Sequence, residues 1–367
     1  MNVESIRLIN FRNYDELNIK LNDKINVFIG KNAQGKTNLL ESIYICATGR
    51  SFRTNRDKEI INLNRNQAYI GTEIKTNGIK KFIEIKMEKG KQKRIRINKV
   101  ELTNLKELNS GLRVVFFSPD NLKLIKGGPS ERREFLDYSI SQTKPIYRYN
   151  ISKYNKVLFQ RNNLLKSNKT KSDILKLLEI FDIQLIKIGT EIIISRNKFI
   201  NQLSKIAEDI HKNLTSGEEQ LLLDYTSSID FNDNNRNVIE EDFYKKLKAN
   251  INKDLGFGVT MIGPHRDDID IKINNMDAKI FASQGQKRTI VLSIKLSEVE
   301  IIKLDRGEYP VLLLDDVFSE LDEERIKYLT LSFRGKQTII TSTDFKGLGG
   351  IEGLNKSIFY IENGTIL

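Results

Sequence analysis

The chain has 367 residues, more than one hydrophobic core usually organises, so two lobes or a domain with a large insertion are expected. With 60 Lys and Arg against 48 Asp and Glu it carries a formal charge of +12, which favours a polyanionic partner such as nucleic acid. The single cysteine, Cys46, excludes a disulfide framework and a cysteine-based zinc site; with no signal-peptide pattern at MNVESIRLINFRNY and no membrane-length apolar run, a cytoplasmic protein without membrane contact is expected.

From Val3 to about Val115 the pattern predicts short alternating strands at Ser5 to Asn10, Leu17 to Leu21, Lys24 to Ile29, Tyr69 to Lys75, Lys80 to Met87 and Lys93 to Ile97, gathered in one mixed sheet. Directly after Ile29 comes GKNAQGKT, Gly30 to Thr37, which fits GxxxxGK[ST], and Asn38 to Ala47 is helix-competent. A glycine-rich turn between strand and helix aims successive N–H groups at a phosphate chain. Candidate nucleotide contacts are therefore Gly30, Lys31, Asn32, Ala33, Gln34, Gly35, Lys36, Thr37 and Asn38, with Lys36 as the catalytic point charge and the Thr37 hydroxyl as a Mg²⁺ ligand. Ala33 stands where many such loops carry glycine, so either the position avoids the left-handed conformation or a cost of about 1–2 kcal/mol is tolerated.

Arg50 and Arg53 follow the predicted helix within reach of phosphate or nucleic acid, and Lys91, Lys93, Arg94, Arg96 and Lys99 concentrate charge around one strand. Alternation puts Arg94 and Arg96 on one face. Arg53, Lys93, Arg94 and Arg96 are the candidate DNA contacts, of the sequence-independent kind that neutralises phosphate. No aromatic platform interleaves the charge, which favours duplex or junction over single strands.

After a strand at Val114 to Phe117, the segment Ser130 to Gly217 changes to a helical apolar period, with a break near Ser167 to Ser172 that predicts an antiparallel helical hairpin roughly 60 Å long. Asn232 to Asn237 reads as a solvated loop. Strands are expected at Leu221 to Thr226 and Ile269 to Ile273, and in Gly263 to Asp268 a turn that ties Arg266 to Asp267 or Asp268, or else a face that DNA approaches.

Ser283 is expected to cap a helix from Gln284 to Leu304 with Gly285 in its first turn, an anion site in which Ser283, Gly285 and Gln286 face nucleotide. Val311 to Leu314 then reads as a buried parallel strand delivering Asp315 and Asp316 to its carboxyl edge; Asp315 sits where a Walker B aspartate would hold Mg²⁺, and Asp316 where ABC-type ATPases, which the segment resembles, place the catalytic carboxylate that polarises water. A further strand is expected at Gln337 to Ser342.

The order of P-loop, insertion, Ser-x-Gly-Gln helix and double-carboxylate strand resembles ABC-type ATPases and, with its short helical insertion, the heads of SMC-type chromosome proteins. Seven segments in order, LINFRNY, GKNAQGKTNLLESI, SFRT, FFSPDNLKLIKGGPSERREFLD, GPHRDDI, SQGQKR and LLLDDVFSELD, resemble the RecF family of recombination mediators over essentially the whole chain. The resemblance implies an α/β fold: an ABC-type P-loop ATPase head, a mixed sheet flanked by helices, with an inserted α-helical lobe forming a short antiparallel arm. It further implies ATP and Mg²⁺ as cofactors, an ATP-dependent homodimer, weak DNA-stimulated ATP hydrolysis, double-stranded and gapped DNA as partner, RecR as protein partner, and RecO and RecA indirectly in recombinational repair and the SOS response. Three stretches are expected: 1–129, the N-terminal part of the ATPase domain with the P-loop; 130–217, the inserted helical arm; and 218–367, the return of the lobe and the C-terminal part of the ATPase domain. Thr341-Ser342-Thr343 stands where transporter-type ATPases carry a phosphate-sensing histidine, and Asp316 stands where glutamate is usual; both predict slow hydrolysis. The alternative is a structural, SMC-type chromosome-organising head, disfavoured by the shortness of the arm.

Overall fold

Alternation of buried and outward residues in the first segments gives strands with one face on the core, whereas the fully apolar runs become strands of a sheet covered on both faces. In the computed structural model, which describes residues 1–103, 111–231, 235–344, 350–351 and 353–367, the chain forms two compact units, Met1–Asn121 with Arg288–Leu367, and Leu122–Lys287. The chain opens with β1 (Asn2–Phe11), β2 (Tyr14–Lys20), β3 (Ile25–Ile29), α1 (Lys36–Thr48), β4 (Gln67–Thr76), β5 (Ile79–Glu88), β6 (Arg94–Ile97), β7 (Val100–Glu101) and β8 (Val114–Phe117). The second unit contains α2 (Lys123–Lys126), α3 (Pro129–Thr143), α4 (Pro145–Leu165), α5 (Lys171–Leu214), β9 (Leu221–Thr226), α6 (Arg236–Ala249), α7 (Ile251–Phe257), β10 (Asp268–Ile273), β11 (Met276–Asp277) and α8 (Ala278–Phe281). Then follow α9 (Gln284–Arg306), β12 (Val311–Asp315), α10 (Glu323–Leu331), β13 (Thr338–Ser342), β14 (Lys356–Glu362) and β15 (Thr365–Ile366).

The expected single mixed sheet is in fact two. Strands β2-β1-β4-β5-β6-β7 form an antiparallel sheet, and β15-β14-β3-β13-β12-β8 form a second in which β3, β8, β12, β13 and β14 run parallel. The reason lies in β3 itself: INVFI is buried at every position, as a strand covered on both faces must be, and its two neighbours arrive from the far end of the chain. Helix α1 lies between the sheets. Its Leu39, Leu40, Ile43 and Cys46 share one core with Ile6, Leu8, Ile70 and Ile83 of the antiparallel sheet and with Phe28, Val311, Leu313 and Ile339 of the parallel one. A helix clamped on opposite sides is held rigidly by its N-terminus as well, which is where the P-loop ends.

In the second unit the pairing of α4 with α5 is antiparallel, because contacts that step back along α4 step forward along α5. Leu164 and Leu165 meet Ile174 and Leu178, Arg161 meets Asp182, and Tyr147 meets Arg196. The 44 residues of α5 span about 66 Å at the helical rise. The predicted two helices are three, since Lys144-Pro145 breaks the first into α3 and α4, with the proline at the N-terminus of α4 where its missing N–H costs nothing. The hairpin is also clothed: β9 packs along α5, with Leu223 N–H donating to Ser204 Oγ at 3.0 Å, and β9, β10 and β11 form an antiparallel sheet. Residues 232–234 of the expected Asn232 to Asn237 loop lie outside the described residues, and Asn235 caps α6 by accepting from Asn237 N–H.

Candidate nucleotide site

The loop from Gly30 to Gly35 leaves β3 and enters α1 without a side-chain cap, and no acidic residue stands in the first turn, so the first amides of α1 and its positive end face outward as an anion site. Gly35 adopts φ 114°, and a Cβ there would meet the Asn13 side-chain nitrogen at 2.7 Å, so the turn requires glycine twice over. Ala33 has φ 66°: the position is left-handed, and the cost of an alanine there is tolerated. Lys36 is 4% exposed, and its Nζ donates to Gly30 O at 2.7 Å and Lys31 O at 3.1 Å, which folds the ammonium back over the loop.

The loop is gripped from outside by residues that sequence reasoning quoted but gave no task. The Asn13 side-chain amide donates to Gln34 O at 2.9 Å, Tyr14 Oη donates to Gly35 O at 3.0 Å, and Gly364 N–H donates to Gln34 O at 3.0 Å. Asn38, in the first turn of α1, donates to Asn13 Oδ1 at 2.7 Å. These contacts account for Asn13-Tyr14 within LINFRNY: the polar pair after β1 holds the carbonyl side of the loop, leaving its amides for a ligand. Nothing in local periodicity distinguishes such residues from an ordinary turn.

On the parallel sheet β12 ends beside β13, and Asp315 reaches α1: Thr37 Oγ1 donates to Asp315 Oδ1 at 2.9 Å across 278 residues of sequence. Thr341 Oγ1 lies 2.9 Å from the same oxygen. Burial pushes the Asp315 carboxyl above the usual carboxylate range, an effect that the hydrogen bonds from Thr341 and Thr37 oppose. Asp316 has a left-handed φ of 50°, and its Oδ1 is buried without a hydrogen-bond partner. An orphaned carboxylate oxygen and a hydroxyl–carboxylate pair facing the open amides of α1 form a donor set of hard oxygens, which fits a small divalent cation on a phosphate chain.

The second anion element belongs to the other unit and α9. Ser283 Oγ accepts from Gln286 N–H at 3.2 Å while Gln286 Oε1 accepts from Ser283 N–H at 2.7 Å, a reciprocal capping box, and Gln286 also donates to Glu219 Oε1 at 2.9 Å. Within the chain Gln286 therefore holds the serine. Gly285 is exposed and outside the left-handed region, and a Cβ there would meet only Ser283 Oγ at 3.9 Å. Neither conformation nor packing within the chain calls for glycine.

The model of the RecF/RecN/SMC N terminal domain matches residues 2–360. A DNA replication and repair protein RecF from Alkaliphilus oremlandii is 46% identical over the whole of both chains, and one from Clostridioides difficile is 44% identical over 100% of this chain and 98% of its own. The chain belongs to the RecF family. Two solved structures, designated the recombination mediator proteins RecF-ATP and RecF-ATPrS in the RecFOR pathway, superpose with a TM-score of 0.92 at 36% and 35% identity, over 100% of this chain and 96% and 97% of theirs. An Smc head bound to the C-winged helix domain of ScpA gives a TM-score of 0.56 at 14% identity over 100% of this chain and 96% of its own, a likeness of fold alone. The family is one of ABC/SMC-like ATPases, and here its arm ends in the short connection 166–170 between α4 and α5.

Within this RecF-family frame the DNA candidates separate. Arg53 stands at the P-loop helix, donating from Nη1 to Asn38 Oδ1 at 2.7 Å, away from the other three in sequence and sheet. Lys93 is tied to Asp57 at 2.8 Å and Arg96 to Glu101 at 3.2 Å. Arg94 is exposed opposite Lys86, and Arg96 opposite Glu84, so the two arginines do share the outer face of the antiparallel sheet, with Ile95 buried between them. There Arg7, Tyr69, Lys86, Lys91 and Arg94 border a depression of about 670 Å³.

The GPHRDD segment is a keystone of the second unit. Pro264 O accepts from Arg196, His265 bonds through both ring nitrogens to Tyr154 Oη and Thr260 O at 2.9 Å, Asp267 accepts from Tyr225 and Ser227, and Asp268 takes both arms of Arg132. Arg266 is not tied to Asp267 or Asp268, because those carboxylates are engaged elsewhere; it donates to Thr260 O. Burial holds His265 down to about 4 and pushes Asp267 up to about 6.

Proposed function

We propose that the chain is a RecF-type, Mg²⁺-dependent ATPase of the cytoplasm that dimerises on ATP, binds double-stranded DNA at gaps and junctions, and leaves it on slow hydrolysis. The observation that carries the reading is the hydrogen bond from Thr37 Oγ1 to Asp315 Oδ1 at 2.9 Å, which joins the P-loop helix and the carboxylate strand in one site. Thr37 and Asp315 would hold Mg²⁺, which supplies charge to offset that of the phosphate oxygens. Lys36 swings from Gly30 O to the phosphates, the amides from Lys31 to Asn38 cradle them, and Asp316 Oδ1 orients the attacking water and takes its proton. Arg53 beside Asn38 is suited to the nucleotide's outer edge.

Ser283 and Gly285 close the nucleotide of a second copy, and the unexplained glycine supports this. Arg94 and Lys86 of the antiparallel sheet meet DNA phosphates, with Arg7, Lys91, Lys93 and Arg96 contributing less because each already has an acidic partner. The RecFOR designation of the two superposed structures supports RecR as direct partner and RecO and RecA loading as the downstream event. The test is mass in solution with and without ATP and Mg²⁺. The parent doubles with ATP and Lys36→Ala stays monomeric; an ATP-driven dimer of Lys36→Ala refutes the reading.

A further inference from the structure

Thr341 occupies the fourth position of β13, in register with Asp315 on one side and Phe28 on the other, and is 0% exposed. A hydroxyl in the middle of a parallel sheet must find partners, since burying it unpaired is costly. Thr341 finds them on the two carboxylate residues. The Asp316 N–H donates to its Oγ1 at 3.0 Å, and its single proton has two acceptors in reach, Asp315 Oδ1 at 2.9 Å and Leu314 O at 3.4 Å. The nearer and charged oxygen takes it.

One hydroxyl thus ties the side chain of Asp315 to the backbone of Asp316. It sets Asp315 Oδ1 opposite Thr37, and it anchors the amide of a residue whose left-handed φ of 50° is strained for aspartate. We infer that Thr341 is a positioning residue that holds Asp315 and Asp316 in register for hydrolysis. The inference rests on the ATPase reading above and deepens it: in the segment that lacks a histidine, the buried Thr341 organises both acids from the neighbouring strand. The same strand carries an internal control. Thr338 is also fully buried, and its Oγ1 has no hydrogen-bond partner, so its hydroxyl does no comparable work.

The experiment compares Thr341→Val, Thr341→Ser and Thr338→Val for kcat, ATP affinity in EDTA, and the Mg²⁺ concentration at which ATP binding responds. Thr341→Val is expected to lower kcat about 10–100-fold and to raise the Mg²⁺ requirement about tenfold, with metal-free ATP affinity changed by less than about twofold. Thr341→Ser, which keeps the hydroxyl, restores most of the loss, and Thr338→Val matches the parent. Parental kcat and Mg²⁺ dependence in Thr341→Val, or an equal loss in Thr341→Ser, overturns the inference while leaving the ATPase reading intact. A parent that binds no ATP overturns both. Should Thr341→Val not fold, Thr341→Cys, near in size with a weak donor, carries the same comparison.

Discussion

Gly285→Ala separates the needs of the fold from those of assembly, because the two respond with opposite sign. Within the chain the added Cβ meets only Ser283 Oγ at 3.9 Å, ordinary contact, and the backbone is outside the left-handed region. Alanine in the first turn of α9 therefore relieves the conformational entropy that glycine loses on folding and stabilises the monomer by about 0.5–1 kcal/mol. If glycine is present because a second copy's phosphates approach the backbone there, the same methyl group weakens ATP-driven dimerisation at least about tenfold, or about 1.4 kcal/mol. Urea unfolding measures the first effect, and sedimentation equilibrium over a protein concentration series with saturating ATP measures the second. A variant that is more stable yet dimerises at the parental concentration refutes the argument that an external surface requires this glycine.

Two further outcomes follow from the charge network. Arg94→Ala is expected to lower the salt slope of duplex binding by about 1, and Arg96→Ala by less, because Arg96 is already neutralised by Glu101 at 3.2 Å; equal slopes for both variants and the parent remove this sheet face from the DNA interface. For His265 the folded value of about 4 lies below the ordinary 6.5, so the unfolded chain binds the proton first and acidification from 6.5 to 4 withdraws stability. The full difference corresponds to about 3 kcal/mol, opposed over part of the range by Asp267, whose raised value has the contrary sign; the stability advantage of the parent over His265→Gln should shrink on acidification, and a constant gap from urea melts at pH 7 and pH 5 would show that the ring does not titrate as its burial requires.

The strands and the phosphate loop were legible because their signals are local. INVFI followed by GKNAQGKT carries its own burial pattern and turn chemistry, and VLLLDD carries its direction and its acids. What was not legible is which strand lies beside which. β3, short and buried at every position, announces a strand covered on both faces, but its neighbours β13 and β14 come from the last 30 residues of the chain and are not written in its own sequence. For the same reason the motif LINFRNY was recognisable but mute: Asn13 and Tyr14 act on Gln34 and Gly35 through a turn whose approach is tertiary. Arg53 and Arg94 look alike as exposed cations in sequence, and only their partners distinguish the nucleotide side from the sheet face.

Two non-glycine residues at left-handed φ, Ala33 at 66° and Asp316 at 50°, lie next to the segments that make the Thr37–Asp315 contact, one in the loop before Thr37 and one directly after Asp315. Each costs about 1–2 kcal/mol that local sequence does not repay, so each must be held by something else. The loop after Ala33 is held at Gln34 O by Asn13 and Gly364, and Asp316 is held at its amide by Thr341. Both anchors come from segments remote in sequence, and both grip backbone atoms, leaving the Asp316 Oδ1 without a partner. Strain maintained in this way fixes the direction in which amides and carboxylate point before any ligand arrives. A site so arranged would spend little of a nucleotide's binding on reorganising its own loops, which is what the proposed ATP-driven dimerisation requires.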